Sequence, residues 1–175
     1  MKKNLVLTMI SILIVGCTSG NPSATATAMV LPTDTPMPRD LTFDEMELQL
    51  SGWFEGAEFV HLFDTSHTEM YGGINSGIPE SEVILGKTPN GNVRMVSMSF
   101  ADTNMETGLK LYKEFLSKYV TSEAIAWVEL NLSQVNDTNI EKSFETPFRT
   151  VHLILGPETK SLDGKFLMVI YEDAE

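Results

Sequence analysis

Two histidines and two carboxylates lie close together in the segment HLFDTSHTE, at His61, Asp64, His67 and Glu69. Imidazole and carboxylate groups are ligands that zinc and related ions prefer, so the cluster is a candidate metal site. The two histidines are spaced neither as the one-turn pair of a helical zinc motif nor as two neighbours on one strand face. Histidines at the entrance to a polar loop are more often simply solvated. The sequence therefore offers these residues as candidates and predicts no cofactor.

The glycine-rich segment GINSG has some of the residues of two catalytic motifs but the spacing of neither. A serine hydrolase needs Gly-x-Ser-x-Gly between a strand and a helix. A phosphate-binding loop needs Lys-Ser/Thr after its glycines. Because the chain has 24 Asp and Glu residues, no single glycosidase-type carboxylate pair stands out. The pattern favours a non-catalytic protein, and a metal-dependent hydrolase remains the less favoured enzymatic alternative.

Trp127 is the aromatic residue that best fits a ligand-binding role. It lies off the apolar stripe of its segment, whereas Trp53 belongs to such a stripe. The alternative is that Trp127 packs in the core. His152 alternates with Thr150 and Ile154 in a strong strand pattern, so we expect it on the less buried face of a sheet.

The first residues have the layout of a secretory signal peptide over residues 1–16. Lys2 and Lys3 precede an apolar run from Leu5 to Gly16, and a cysteine follows. This run is shorter than the roughly 20 apolar residues that a membrane-spanning helix needs.

The residues Ile14-Val15-Gly16-Cys17 resemble the lipobox of bacterial lipoproteins. The resemblance implies that Cys17 receives a diacylglyceryl group, that the signal peptide is cut before it, and that fatty acids such as palmitate anchor the protein outside the cytoplasm. Two or more acyl chains hold a protein stably on a bilayer. Residue 18 is Thr rather than Asp, which in this family favours the outer membrane if the host has two. Cys17 is the only cysteine, so the lipidated protein would have no thiol.

Residues 17–39 are predicted to be the lipidated cysteine and a linker rich in Thr, Pro and Ala, because four prolines prevent regular hydrogen bonding. Residues 40–175 are predicted to be one globular domain. The net charge of −12 becomes −14 once Lys2 and Lys3 are removed. Such an acidic surface disfavours nucleic acid as a partner.

Residues 40–175 show helix and hairpin patterns that predict an α+β fold. We expect an antiparallel sheet of about four strands, in two hairpins, with two or three helices packed on one face. Capping boxes at Thr42 and Thr103 predict two helix starts. Segment 122–135 fits a helix or a strand, and its composition favours a helix. The predicted strands cover 82–87, 93–100 and the hairpin FRTVHLILGP/KFLMVIYE, with a further strand possible at 58–63. Segment 71–77 and segment NDTNIEKSFETP are predicted to be loops.

The combined features favour a membrane-anchored lipoprotein with a non-catalytic domain. Such a domain would recognise a protein or another ligand of the cell envelope or its surroundings, through a sheet face or through loop 64–80. A structural or assembly role in a membrane complex is the alternative. The identity of the ligand is left open by the sequence.

Overall fold

The computed structural model describes residues 40–135, 137–158 and 163–173. The predicted signal peptide, Cys17 and the linker lie outside the described residues. Within them, none of the helices has the length and apolar content needed to cross a bilayer.

The fold is α+β, as the sequence predicts, and its sheet is entirely antiparallel with strand order β1-β2-β3-β4-β7-β6-β5. The sheet has seven strands, so the prediction of about four was wrong. The elements are α1 (Phe43–Trp53), β1 (Glu58–Asp64), β2 (Glu69–Ile74), β3 (Ser81–Lys87), β4 (Val93–Ala101), α2 (Met105–Tyr119), α3 (Ser122–Asn131), β5 (Ile140–Glu145), β6 (Arg149–Glu158) and β7 (Gly164–Asp173).

Strand β2 was predicted to be a loop because of its glycines. Gly72 and Gly73 are instead required by large neighbours on both faces of the strand. A Cβ atom at Gly72 would lie 2.8 Å from Leu62 Cδ1, and one at Gly73 would lie 2.5 Å from Val83 Cγ1. The glycines therefore make room for side chains of adjacent strands.

Strand β5 was predicted to be a polar connection. It is an edge strand that buries Phe144 and half-buries Ile140, while its other side chains are more polar. Edge strands tolerate charged side chains, which also discourage pairing with further strands. Its polar composition is therefore that of a sheet edge.

At the two predicted capping boxes, the threonine hydroxyl does not accept a hydrogen bond from a backbone N–H at the helix start. The Thr42 hydroxyl precedes α1 but donates to Glu45 Oε2 at 2.8 Å, and makes no bond to a backbone N–H of the helix. Thr103 lies in a short 3-10 turn before α2, and its hydroxyl donates to Glu80 Oε2 at 3.1 Å. The helix starts were predicted close to their true positions, but by an incorrect mechanism.

Segment 122–135 is helical through Asn131 and then forms a 3-10 turn, so the favoured helix assignment is confirmed. The backbone N–H of Ala124 donates to the Thr121 hydroxyl at 3.3 Å, so Thr121 caps α3.

All three helices contribute to one hydrophobic core on a single face of the sheet. Phe54 of the α1 end stacks on Phe100 of β4 with ring centroids 5.5 Å apart, and Tyr112 of α2 packs edge-on against the same ring. The Tyr112 hydroxyl also reaches the carbonyl oxygens of Met98 and Lys165, at 3.1 and 3.0 Å. Tyr112 of helix α2 therefore bridges β4 and β7 through hydrogen bonds.

Candidate functional site: the open face of the sheet

Three of the four candidate metal ligands lie near one another at the β1–β2 end of the sheet, but they are engaged in different contacts. His61 Nε2 lies 2.7 Å from Asp64 Oδ1, because an irregularity after His61 brings both residues to one face. Glu69 contacts Lys87 and accepts a hydrogen bond from Tyr71. Among the described residues, no three His, Cys, Asp or Glu side chains are grouped to hold a metal ion.

His67 belongs to the exposed turn between β1 and β2. Its backbone N–H donates to the Thr65 hydroxyl at 3.4 Å. His67 therefore helps to form the turn, and within the described ranges it belongs to no group of three metal-ligating side chains.

Glu69 and Lys87 link β2 to β3 beneath α1. The Lys87 ammonium group lies 3.0 Å from Glu69 Oε2, and 5.3 and 5.4 Å from the ring centroids of Phe43 and Tyr71. Its hydrogen bond lowers the pKa of Glu69, and the same bond raises the pKa of Lys87. This cluster holds the β1–β2 hairpin against α1 through charge and aromatic contacts.

Trp127 is half-buried on α3 and packs against the core. Its ring meets Phe144 of β5 edge-on, with centroids 6.3 Å apart. The side chain proposed from sequence as a binding aromatic thus contacts the edge strand.

A buried polar group lies where β6 begins and β7 ends. The Tyr171 hydroxyl has no hydrogen-bond partner among the described residues, and burial raises its pKa. Arg149 lies 5.7 Å from the centroid of the Tyr171 ring. A cavity of about 50 Å³ lined by both residues has room for a buried water that would satisfy the hydroxyl.

The face of the sheet opposite the helices carries many apolar side chains together with polar ones such as Ser97 and His152, and we call it the open face. In the described part of the chain, none of its apolar side chains belongs to the core shared with the helices. Four of the seven exposed large apolar side chains lie on it, including Phe63 at 53% and Leu62 at 47%. Its exposed or half-buried apolar residues are Val60, Leu62, Phe63, Ile74, Ile84, Met95, Ile154, Phe166, Met168 and Ile170.

A chain of polar side chains crosses one end of the open face. The Ser143 hydroxyl lies 2.8 Å from His152 Nδ1, and His152 Nε2 lies 3.0 Å from Glu172 Oε2. Arg94 extends the chain, with its guanidinium 3.5 Å from Glu172 Oε1. His152 is thus on the less buried face, as predicted, and it is oriented from both ring nitrogens.

Serine, histidine and a carboxylate are also the groups of a hydrolytic triad. Ser143, however, lies within a flat edge strand, whereas nucleophilic serines of hydrolases lie on sharp turns beside oxyanion donors. The chain Ser143–His152–Glu172 spans three neighbouring strands. We therefore assign it to holding β5, β6 and β7 together.

Recognition through a sheet face was predicted from the sequence without its residues being identified, although β7 carries a signal for this face. Phe166, Met168 and Ile170 alternate with Leu167 and its buried neighbours, so β7 is apolar on both faces. A strand with two apolar faces is expected where both faces of the sheet are covered.

No protein-family model, curated protein sequence or solved structure matches the chain significantly.

Proposed function

We propose that this protein is a lipoprotein, anchored through Cys17 on the extracytoplasmic side of a membrane, whose domain binds a protein or another envelope ligand through the open face. If the host has two membranes, the proposed location is the outer one. The observation that carries the proposal is the apolar sheet face that lies outside the core. The lipid anchor and the linker would keep this face near the membrane while leaving the domain free to reorient.

Recognition explains the open face better than catalysis does. Monomeric soluble proteins seldom expose large contiguous apolar patches, and such patches commonly mark interaction sites. The apolar side chains of the face extend over six adjacent strands, from Ile154 on β6 to Val60 on β1. The face has a cavity of about 240 Å³ at its β5–β6 end, lined in part by His152 and Ile154, but its apolar residues reach well beyond that cavity. A surface of this extent is suited to a macromolecular partner.

The structural or assembly role remains the second candidate, because a permanent subunit contact would use the same face. Stoichiometric co-purification of one protein would favour this role over transient recognition. The hydrolase alternative gains no support from the described residues, in which His61, Asp64, His67 and Glu69 do not form a metal-binding group.

Site-specific crosslinking in intact cells tests the proposal. A photo-crosslinking amino acid replaces Phe63 on the open face or, as a control, Leu130 on α3, which are 53% and 68% exposed. We expect a discrete adduct from position 63 that disappears when Ile84→Lys is added, and no such adduct from position 130. Identical adducts from both positions, or adducts that persist with Ile84→Lys, would contradict recognition through this face.

A further inference from the structure

Most apolar side chains of the open face lie in two rows that run across the strands, while Phe166 and Ile74 lie beyond the second row. The register of the strands fixes both rows, since directly paired residues point to the same face. The first row is His152, Ile170, Met95, Gly86, Met70 and Phe63. The second row is Ile154, Met168, Ser97, Ile84, Gly72 and Val60. Leu62 lies over Gly72, so the second row has an apolar surface at its glycine too.

Carboxylates surround these two rows. Glu145 and Glu172 lie beyond the first row at one end of the strands, and Glu58 and Glu82 lie beyond the second row at the other end. Glu141 continues the second row at the β5 edge, next to Ile154. All five glutamates are exposed. Arg94 is the cation that contacts this ring, through Glu172.

The dimensions of the rows match those of an α-helix. The six residues of each row come from six neighbouring strands about 4.8 Å apart, so each row is roughly 24 Å long, and the two rows are about 7 Å apart. A helix of about 16 residues is roughly 24 Å long, and its apolar stripe would contact both rows at once. We propose that the open face binds a basic amphipathic helix of a partner polypeptide. Its apolar side would lie on the two rows and its Lys or Arg residues would reach the carboxylate ring.

Charge complementarity distinguishes this occupant from two others. In a dimer that pairs two open faces, the carboxylate rings of Glu58, Glu82, Glu141 and their neighbours would face like charges. An anionic lipid surface would be repelled by the same ring. In a polypeptide with basic flanks, the Lys or Arg residues would be attracted to the carboxylate ring and the apolar side chains would be buried against the two rows.

The inference rests on the proposed recognition function, and a peptide titration tests it separately. The full chain with Cys17→Ser is titrated with an 18-residue amphipathic helix of Leu and Lys, or with a matched peptide of Leu and Glu. We expect one-to-one binding of the Lys peptide and at least tenfold weaker binding of the Glu peptide. Equal binding of both peptides would overturn the charge assignment, while the crosslinking result at position 63 would still decide the recognition function.

Matched variants distinguish the open face from the general acidity of the protein. The double substitution Ile84→Lys with Met168→Lys is expected to weaken binding of the Lys peptide at least tenfold. Leu48→Lys with Leu130→Lys makes the same charge change at exposed helix positions, and is expected to have little effect. Equal losses from the two pairs would overturn the inference, since they would indicate binding to any acidic surface.

Neutralising the ring tests the carboxylates themselves. We expect Glu58→Gln with Glu82→Gln to weaken binding of the Lys peptide about fivefold, because the loss of two exposed ion pairs has an effect of about this size. Glu106→Gln with Glu114→Gln on α2 is the control and should leave affinity nearly unchanged. Two further outcomes would also overturn the inference. The first is self-association of the chain that Ile84→Lys abolishes, because the occupant would then be a second copy. The second is at least tenfold tighter binding of the Lys peptide when Met29, Val30 and Leu31 are changed to Ser, because the occupant would then be this segment of the same chain.

Discussion

The ammonium group of Lys87 on β3 lies 3.0 Å from the carboxylate of Glu69 on β2, its direct partner across the two strands. This pair makes stability depend on pH in a defined direction. The pKa of Glu69 is lowered below its ordinary value of 4.5, chiefly by the hydrogen bond from Lys87. Its contribution is therefore present above pH 4.5 and is lost as pH falls through the lowered pKa. The raised pKa of Lys87 gives the opposite limit, since its contribution is present below its ordinary value of 10.5 and is lost above the raised pKa.

Glu69→Gln should lower the free energy of unfolding at pH 7, by a small amount because the pair is partly exposed. The difference from the unmodified chain should shrink as the pH falls from 4.5 through the lowered pKa of Glu69, because the carboxylate then becomes protonated. Urea unfolding at pH 7 and at pH 3 measures both values. Glu106→Gln on α2 is the control, and a difference that grows on acidification would contradict this account.

Gly164→Ala should destabilise the junction between β4 and β7. A Cβ atom there would lie 2.0 Å from the carbonyl oxygen of Phe100, and a backbone atom has little freedom to move aside. We expect a loss of about 1–3 kcal/mol, as for overpacked cores. Gly52→Ala in α1 is the matched control, because no atom lies within 4 Å of its added methyl group. That substitution should stabilise the protein by about 0.5–1 kcal/mol. Equal effects in thermal unfolding would contradict the geometry.

Trp127→Ala should act on stability more than on binding. The ring packs edge-on against Phe144, so its removal should cost about 1–3 kcal/mol, less than a fully buried tryptophan. Trp127→Phe should restore much of this loss. Binding of the Lys peptide is measured on the same samples, since a selective loss of affinity with unchanged stability would support the ligand-binding role predicted from sequence.

Cys17→Ser should release the protein from membranes or leave its signal peptide uncleaved. Incorporation of labelled palmitate should be lost at the same time, because the acceptor sulfur is gone. Cell fractionation and palmitate labelling check both outcomes. Persistent attachment of the variant to membranes would refute the lipid anchor.

The sequence predicts the elements whose side chains repeat with a clear period. The stripe containing Tyr112 and Leu116 defines α2, and the alternation of Val151 and Leu153 defines β6, because burial on one face imposes these periods. The seven-strand sheet could not be counted in this way. The glycines of β2 make sense only once Leu62 and Val83 are known to lie over them.

The candidate site depends even more on tertiary structure. Met95 and Met168 belong to strands that are far apart in the sequence. Only the pairing of β4 with β7 brings them onto one surface with Ile84. Strand order is set by long-range packing, so no local pattern identifies the rows or the carboxylates around them.

Strand β7 is the last of the seven strands along the chain, yet it lies between β4 and β6. During synthesis, β1 to β4 can form a meander while the far edge of β4 has no hydrogen-bonding partner. The sheet is completed only when the residues from Gly164 onward arrive. Until then the unpaired edge of β4 could form hydrogen bonds with strands of other chains. Correct folding of the sheet therefore requires that the whole domain, including β7, has been synthesised.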